Sequence, residues 1–164
     1  MVDAKEQAVY DVLEQLKIPF ERHEHPPVFT VEEAVRHWAG ITAAHCKNLF
    51  LRNKKGTIHY LVILEHKKQA DLSHLVKRLD DDRLSFASPE RLMTHLGLTP
   101  GAVSPFGLIK DRAHQVRVVI DADLKAEERV SFHPNVNTAT VVVTTADFQR
   151  FLAWCGNPVR YVTL

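Results

Sequence analysis

The feature that most constrains this chain is a pair of apolar, β-prone runs, residues 46–53 and 57–64, joined by Lys54, Lys55 and Gly56. Two such runs separated by a short polar link predict a β-hairpin, with glycine at the tight position because it tolerates the backbone angles that the connection needs. The elements on either side predict what this hairpin joins.

Asp3 followed by Glu6 is a capping signal, and Val9, Val12, Leu13 and Leu16 recur at helical spacing, so residues 4–16 are expected to form an amphipathic helix that ends before Pro19. A short extended segment over 20–24 leads to Pro26 and Pro27, which force a turn or extended chain. Thr30 and Glu33 form a second capping box, opening a helix that stops at Gly40. Residues 71–79 read as helical and 83–87 as extended, and Ser88 with Pro89 starts a helix that ends at Gly97. After a Gly/Pro-rich loop, strands are expected at 107–110, 115–121, 129–133 and 138–144, then a helix from Ala146 to Cys155 capped by Gly156, and a last strand at 159–163. Clustered strands with short connections imply an α/β protein of the α+β type, a mixed, largely antiparallel sheet covered by helices in one domain over residues 1–164.

With 164 residues and 45% hydrophobic content, such a domain can bury its core without disulfides or a structural metal. Cys46 and Cys155 lie far apart and form neither a CxxC pair nor a Cys/His ligand cluster. The N-terminus lacks the basic start and apolar core of a signal peptide, and no uncharged apolar run approaches the roughly 20 residues that span a membrane. A cytoplasmic protein without membrane contact is expected. Lys and Arg (21) nearly balance Asp and Glu (20), so the overall field offers little attraction for long duplex nucleic acid and DNA is not an expected partner. Any RNA contact is local. The strongest basic segment runs from Lys47 through Arg52, Lys54 and Lys55, with Lys67 and Lys68 beyond; taken alone it reads as a solvated hairpin tip and loop.

Ten histidines invite a metal, yet HExxH is absent and no histidine pair has a carboxylate or cysteine at a recognised ligand spacing. His45 beside Cys46 invites a thiol nucleophile, but adjacent strand residues point to opposite faces; a histidine brought by the fold, such as His133, could still reach Cys46. No GxSxG, Walker or dinucleotide-binding glycine pattern is present. Three segments carry more when taken together. Lys47 and Asn48 open the hairpin. Gly101 to Pro105 can form a rigid loop whose backbone approaches a ligand, since glycine permits close approach and proline fixes φ. His133, followed by Pro134, Asn135, Val136 and Asn137, interrupts two apolar strands as either a turn or the rim of a site.

The blocks HPPVFTVEEA (25–34), KNLFLR (47–52), RLSFA (83–87), TPGAVSPFGL (99–108) and FHPNVNTAT (132–140) resemble, in order, those of the YbaK/ProX family of freestanding aminoacyl-tRNA editing domains. They are most similar to its prolyl-tRNA editing branch, and the likeness extends over nearly the whole chain. Lys47 matches the family's functional lysine, Gly101 and Pro105 the ends of its GxxxP loop, and His133 its site histidine; Asn48 sits beside the lysine as the pattern expects. Cys46 departs from it, standing where threonine is expected.

The resemblance implies the YbaK fold and hydrolysis of the ester between an amino acid and the terminal ribose of tRNA, with no cofactor, no metal and no covalent nucleophile. Such an ester is already activated, so the protein chiefly has to place water and stabilise an oxyanion, with a ribose hydroxyl assisting. Lys47 is expected to anchor the tRNA end or polarise the ester, Gly101 and its loop to offer backbone contacts, and His133 to position the substrate or shape the pocket. Val28, Phe29, Val31 and Val103 are candidate walls, with Ser104 and Pro105 completing the loop. The partner implied is the acceptor end of aminoacylated tRNA(Pro), with prolyl-tRNA synthetase left open as a further one. Alanine is the preferred amino acid. The alternatives are removal of cysteine, as in the YbaK type, a non-catalytic RNA- or protein-binding module, and a thiol- or metal-dependent hydrolase.

Overall fold

A computed structural model describes residues 2–164. In chain order its elements are α1 (Ala4–Gln15), β1 (Glu21–Glu24), α2 (Val31–Trp38), β2 (Ala44–Asn53), β3 (His59–Glu65), α3 (Leu72–Leu79), β4 (Leu84–Phe86), α4 (Pro89–Leu96), β5 (Val116–Asp121), β6 (Arg129–Phe132), β7 (Ala139–Thr144), α5 (Thr145–Cys155) and β8 (Val159–Val162). The strands form one sheet in the order β1-β7-β6-β2-β3-β5-β8, with β4 added to β2. The expected hairpin is its centre: Cys46 to Arg52 pair antiparallel with Glu65 to His59. Antiparallel pairs also join β1 to β7, β7 to β6 and β4 to β2, whereas β6 with β2, β3 with β5 and β5 with β8 run parallel.

The near-continuous apolar sequence of β3 follows from its central place, because both of its faces are covered. Leu61 and Ile63 face a core shared with Val9 and Leu13 of α1 and with Phe106 and Phe151; Tyr60, Val62 and Leu64 face a second core closed by Leu75 of α3. On α1, Asp3 accepts from the Lys5 N–H (2.8 Å) as a cap does, but Glu6 does not complete the box. Its buried carboxylate takes the Tyr10 hydroxyl (2.5 Å) and Arg22 Nε (2.7 Å), tying α1 to β1.

The strand expected at 107–110 is instead a 3₁₀ segment, Pro105–Ile109. Ser104 decides this locally: its hydroxyl accepts from the Phe106 N–H (3.1 Å), its carbonyl from the Gly107 N–H (3.1 Å), and Pro105 holds the helical φ of the first position. Residues 104–108 are all buried, and a short buried apolar run fits a strand as readily as a tight helical turn, which is why the sequence pattern misleads here. Gly107 is needed for close approach, since a Cβ there would lie 2.7 Å from Leu98 Cδ1 and 3.3 Å from the Leu96 carbonyl.

A cluster around buried His59 is expected to make the fold acid-sensitive. His59 on β3 accepts a hydrogen bond at Nε2 from Arg91 Nη1 (3.1 Å), and its ring lies 4.1 Å from that of His95 and 5.6 Å from that of Phe50. Burial first, then the neighbouring His95 and Arg91, hold His59 down at about 4. An unfolded histidine titrates near 6.5, so the unfolded chain takes up the proton first. The stability that neutral His59 contributes is complete above about pH 6.5 and is lost as pH falls toward about 4. His59→Gln keeps an acceptor for Arg91 and removes the titration. Its Tm is expected to fall less between pH 7 and pH 4.5 than that of the unaltered chain; equal falls, measured by calorimetry, would refute the assignment.

Candidate active site

The site is built on an interruption of the sheet. β3 covers one edge of β2 throughout, but the other edge pairs with β6 only at Ala44 and His45, and with β4 only from Leu51 to Asn53. The Phe50 carbonyl is met by the Ala87 N–H (2.9 Å), which leaves the stretch from Cys46 to Leu49 facing a gap between two neighbouring strands. A cleft of about 160 Å³ opens there, lined by Cys46, Lys47 and Asn48 from β2. Opposite stand Gly101 and Val103 from the loop after α4, His133 from the end of β6, and Val28 to Val31 with Ala34 and Trp38 from α2 and its approach.

Each wall has a local cause. Thr30 caps α2 by accepting from the Glu33 N–H (3.1 Å), and the Glu33 carboxylate reaches back to the Phe29 N–H (3.0 Å), one residue earlier than in the usual capping box. Val28 is fastened to the segment after β6 twice, its N–H to the Asn137 carbonyl (3.2 Å) and its carbonyl to Asn137 Nδ2 (3.0 Å). Thr99 to Ala102 form a turn closed by the Ala102 N–H on the Thr99 carbonyl (3.1 Å), with Pro100 and then Gly101 at its centre. Gly101 has φ +90°, the left-handed value that the third position of a type II turn requires. A Cβ at Gly101 would meet open space, so backbone angle and not crowding demands glycine there.

Trp38 forms the floor with a fixed indole. Its Nε1–H donates to Thr140 Oγ1 (3.2 Å), the Thr140 hydroxyl to His25 Nε2 (3.0 Å), and His25 Nδ1 to the Pro26 carbonyl (2.9 Å), while the indole face stacks on His45 at 4.5 Å. His133 donates from Nδ1 to the Ala139 carbonyl (2.8 Å), which fixes its tautomer and leaves Nε2 as an acceptor. Burial holds the His133 pKa below its ordinary value, with neighbouring His25 adding to the effect, so the ring is neutral at pH 7. Lys47 is half-buried and meets no carboxylate among the described residues. Asn48 Oδ1 is buried without a hydrogen-bond partner, an arrangement that costs about 1–3 kcal/mol until a donor arrives.

Of the residues singled out in the sequence, Lys47, Asn48, Gly101, Val103, His133, Val28, Phe29 and Val31 meet in this cleft. Val28 lies deep at 3% exposure, whereas Phe29 (74%) and Val31 (38%) stand at the mouth. Ser104 and Pro105 do not line it; both are buried behind the loop, where they start the 3₁₀ segment. Thr30, Ala34 and Trp38 also line the cleft and were not foreseen, although Val31, Ala34 and Trp38 share one helical face by their spacing; Cys46, weighed above as a thiol, lines it as well. Cys46 and His45 diverge as expected: the thiol donates to the Ala44 carbonyl (3.4 Å), and His45 Nδ1 meets Ser131 Oγ (2.5 Å). Burial pushes the Cys46 thiol far above its ordinary value, so it supplies no thiolate near neutral pH. Among the described residues no three His, Cys, Asp or Glu side chains are grouped to hold a metal ion, and no helix is long and apolar enough to cross a membrane.

The description of the aminoacyl-tRNA editing domain matches residues 25–151, a span that holds every lining residue of the cleft. The chain belongs to the aminoacyl-tRNA editing domain family. Among its relatives, the prolyl-tRNA editing protein ProX of Acetoanaerobium sticklandii is 42% identical over 163 residues, 99% of each chain. Prolyl-tRNA synthetase associated domain-containing protein 1 of Xenopus laevis is 39% identical over 138 residues, 82% of each chain. A crystal structure described as a candidate trans-editing enzyme for prolyl tRNA synthetase shares the editing-domain fold, with a TM-score of 0.74 at 20% identity over 100% of this chain and 99% of that one.

Proposed function

We propose that this chain is a trans-acting deacylase that hydrolyses mischarged tRNA(Pro), with alanine as the amino acid removed. The observation that carries the reading is the convergence, in one gap of the sheet, of an unpaired lysine, a neutral histidine and a glycine turn beside a small apolar floor. A volume of about 160 Å³ lies below the roughly 300–1,000 Å³ of sites that enclose drug-sized ligands, so the cleft suits a small aminoacyl group and leaves the nucleotide outside.

In this reading Lys47 holds the tRNA end or the ester carbonyl. Among the described residues the Gly101 and Val103 amides donate to no other backbone carbonyl, and they face the developing oxyanion. His133 Nε2, neutral and oriented by Ala139, accepts from the substrate and positions it, and Asn48 adds a polar contact. A ribose hydroxyl helps to place the water. The water oxygen adds to the ester carbon, the ester C–O bond breaks, and the ribose oxygen leaves with a proton from that water, giving free amino acid and tRNA. Synthetase sites discriminate weakly against smaller amino acids, about 1–3 kcal/mol per missing methylene, which makes a second sieve useful. Prolyl-tRNA synthetase is the natural source of the substrate and a candidate partner.

Deacylation of tRNA(Pro) carrying alanine, cysteine, serine or proline tests the reading. Turnover of alanine supports it; a clear preference for cysteine would change the amino acid, and no turnover of any would refute the activity. The reaction is also expected to survive both saturating chelator and Cys46→Ala with most of its rate, because the thiol is held protonated and the donor set for a metal is missing among the described residues. Loss on chelation that a divalent ion restores would overturn this part.

A further inference from the structure

A second cleft, of about 560 Å³, is lined in part by the same two chain segments that line the active cleft. His133 lines the first and Asn135, two residues on, lines the second; Val103 lines the first and Phe106 the second. Lys5 enters this second cleft from α1, and Lys110 and Arg112 from the chain that follows the 3₁₀ segment, above an apolar base that includes Leu98 and Phe106. No carboxylate lines it, and none of the three cations forms an ion pair among the described residues. Lys110 Nζ donates to the Met93 carbonyl (2.8 Å), which holds its charge at the rim. Asn135 adds an amide in a left-handed backbone conformation (φ +64°), with its Oδ1 buried and unpartnered.

Three like charges gathered in one concavity repel one another until a counter-charge arrives, and a chain with net charge +1 has few cations to spare for such a cluster. The nucleotides ahead of the terminal ribose have to leave the active cleft on one of its sides, and this side is basic. We infer that the groove formed by Lys5, Lys110 and Arg112 holds the sugar-phosphate backbone of the tRNA acceptor end, an inference that rests on the deacylase reading above. The hairpin tip is the rival surface. There Arg52 Nη1 is engaged by the Asn53 and Lys54 carbonyls (3.3 and 3.2 Å), and the Lys54 N–H by Asp82 Oδ1 (2.7 Å), so carboxylates share the patch.

The test compares Lys5→Glu/Arg112→Glu with Lys54→Glu/Lys55→Glu. For the groove variant, kcat/KM on alanyl-tRNA(Pro) is expected to drop at least about tenfold, and the slope of log(kcat/KM) against log[salt] to become shallower by about 1.5, since each phosphate contact contributes roughly 0.7–0.9. Hydrolysis of 2′(3′)-O-alanyl-adenosine, which has no phosphate, is expected to stay within about twofold. The hairpin variant is expected to show a smaller drop. Unchanged kcat/KM and salt slope in the groove variant, an equal loss on the phosphate-free ester, or a larger loss in the hairpin variant would overturn the assignment. If the unaltered protein deacylates no mischarged tRNA, the function falls, and affinity for uncharged tRNA(Pro) decides the groove separately: a tenfold weaker Kd in the groove variant sustains it and an equal Kd removes it.

Discussion

Alanine on tRNA(Pro) is expected to be hydrolysed about a hundredfold faster than proline on the same tRNA, the upper range that a steric pocket achieves between side chains differing by a methylene or two. The floor made by Val28, Ala34 and Trp38 is buried, and the Trp38 indole is fixed by Thr140 at its nitrogen and by His45 on its face. Such a floor yields little to a larger ring, because close-packed interiors resist displacement. Val31 stands at the mouth, so Val31→Ala is expected to raise the rate on larger amino acids more than the rate on alanine; Val28→Ala, deeper, is expected to relax exclusion further. Steady-state rates for each variant on alanyl-, cysteinyl-, seryl- and prolyl-tRNA(Pro) measure this. Similar rates of the unaltered protein on alanine and proline would eliminate a size sieve.

Lys47→Ala is expected to slow deacylation at least about tenfold, a loss of some 1.4 kcal/mol of transition-state stabilisation. The ammonium is half-buried, lines the cleft and has no carboxylate partner among the described residues, so its attraction for an anionic or developing negative group is not already spent. Lys55, exposed at the hairpin turn, is the comparison, and Lys55→Ala is expected to have the smaller effect. Both changes leave the apolar cores intact, so circular dichroism and Tm serve as folding controls. Equal, small effects at both positions would return Lys47 to an ordinary solvent-facing role.

Much of this arrangement was legible because it is local. The hairpin follows from the apolar runs around Lys54 to Gly56, α2 from Thr30 and Glu33, α4 from Ser88 and Pro89, and the end of α5 from Gly156 at φ +81°. Caps and turns are decided by residues within a few positions of one another, and these sequence signals carry that information directly. The 3₁₀ segment at Pro105–Ile109 is not legible because a short, continuously buried apolar run fits a strand or a tight helical turn, and periodicity over so few residues does not separate them. Glu6 has the spacing of a capping box with Asp3, but its carboxylate is taken by Tyr10 and by Arg22, the latter 16 residues away and beyond the reach of any local signal.

The sequence by itself determined most of the elements and the family likeness, and it singled out Lys47, Asn48, Gly101 and His133 as candidates. Tertiary structure alone decided that they share a space, since β2 is left uncovered between β6 and β4, and those pairings join Ala44 to Val130 and Leu51 to Phe86, far apart along the chain. It also decided that Trp38 and Ala34 form the floor, that Ser104 and Pro105 stand behind the loop, and that Cys46 is protonated. Burial and long-range contact set those properties, and neither is encoded in the spacing of neighbouring residues.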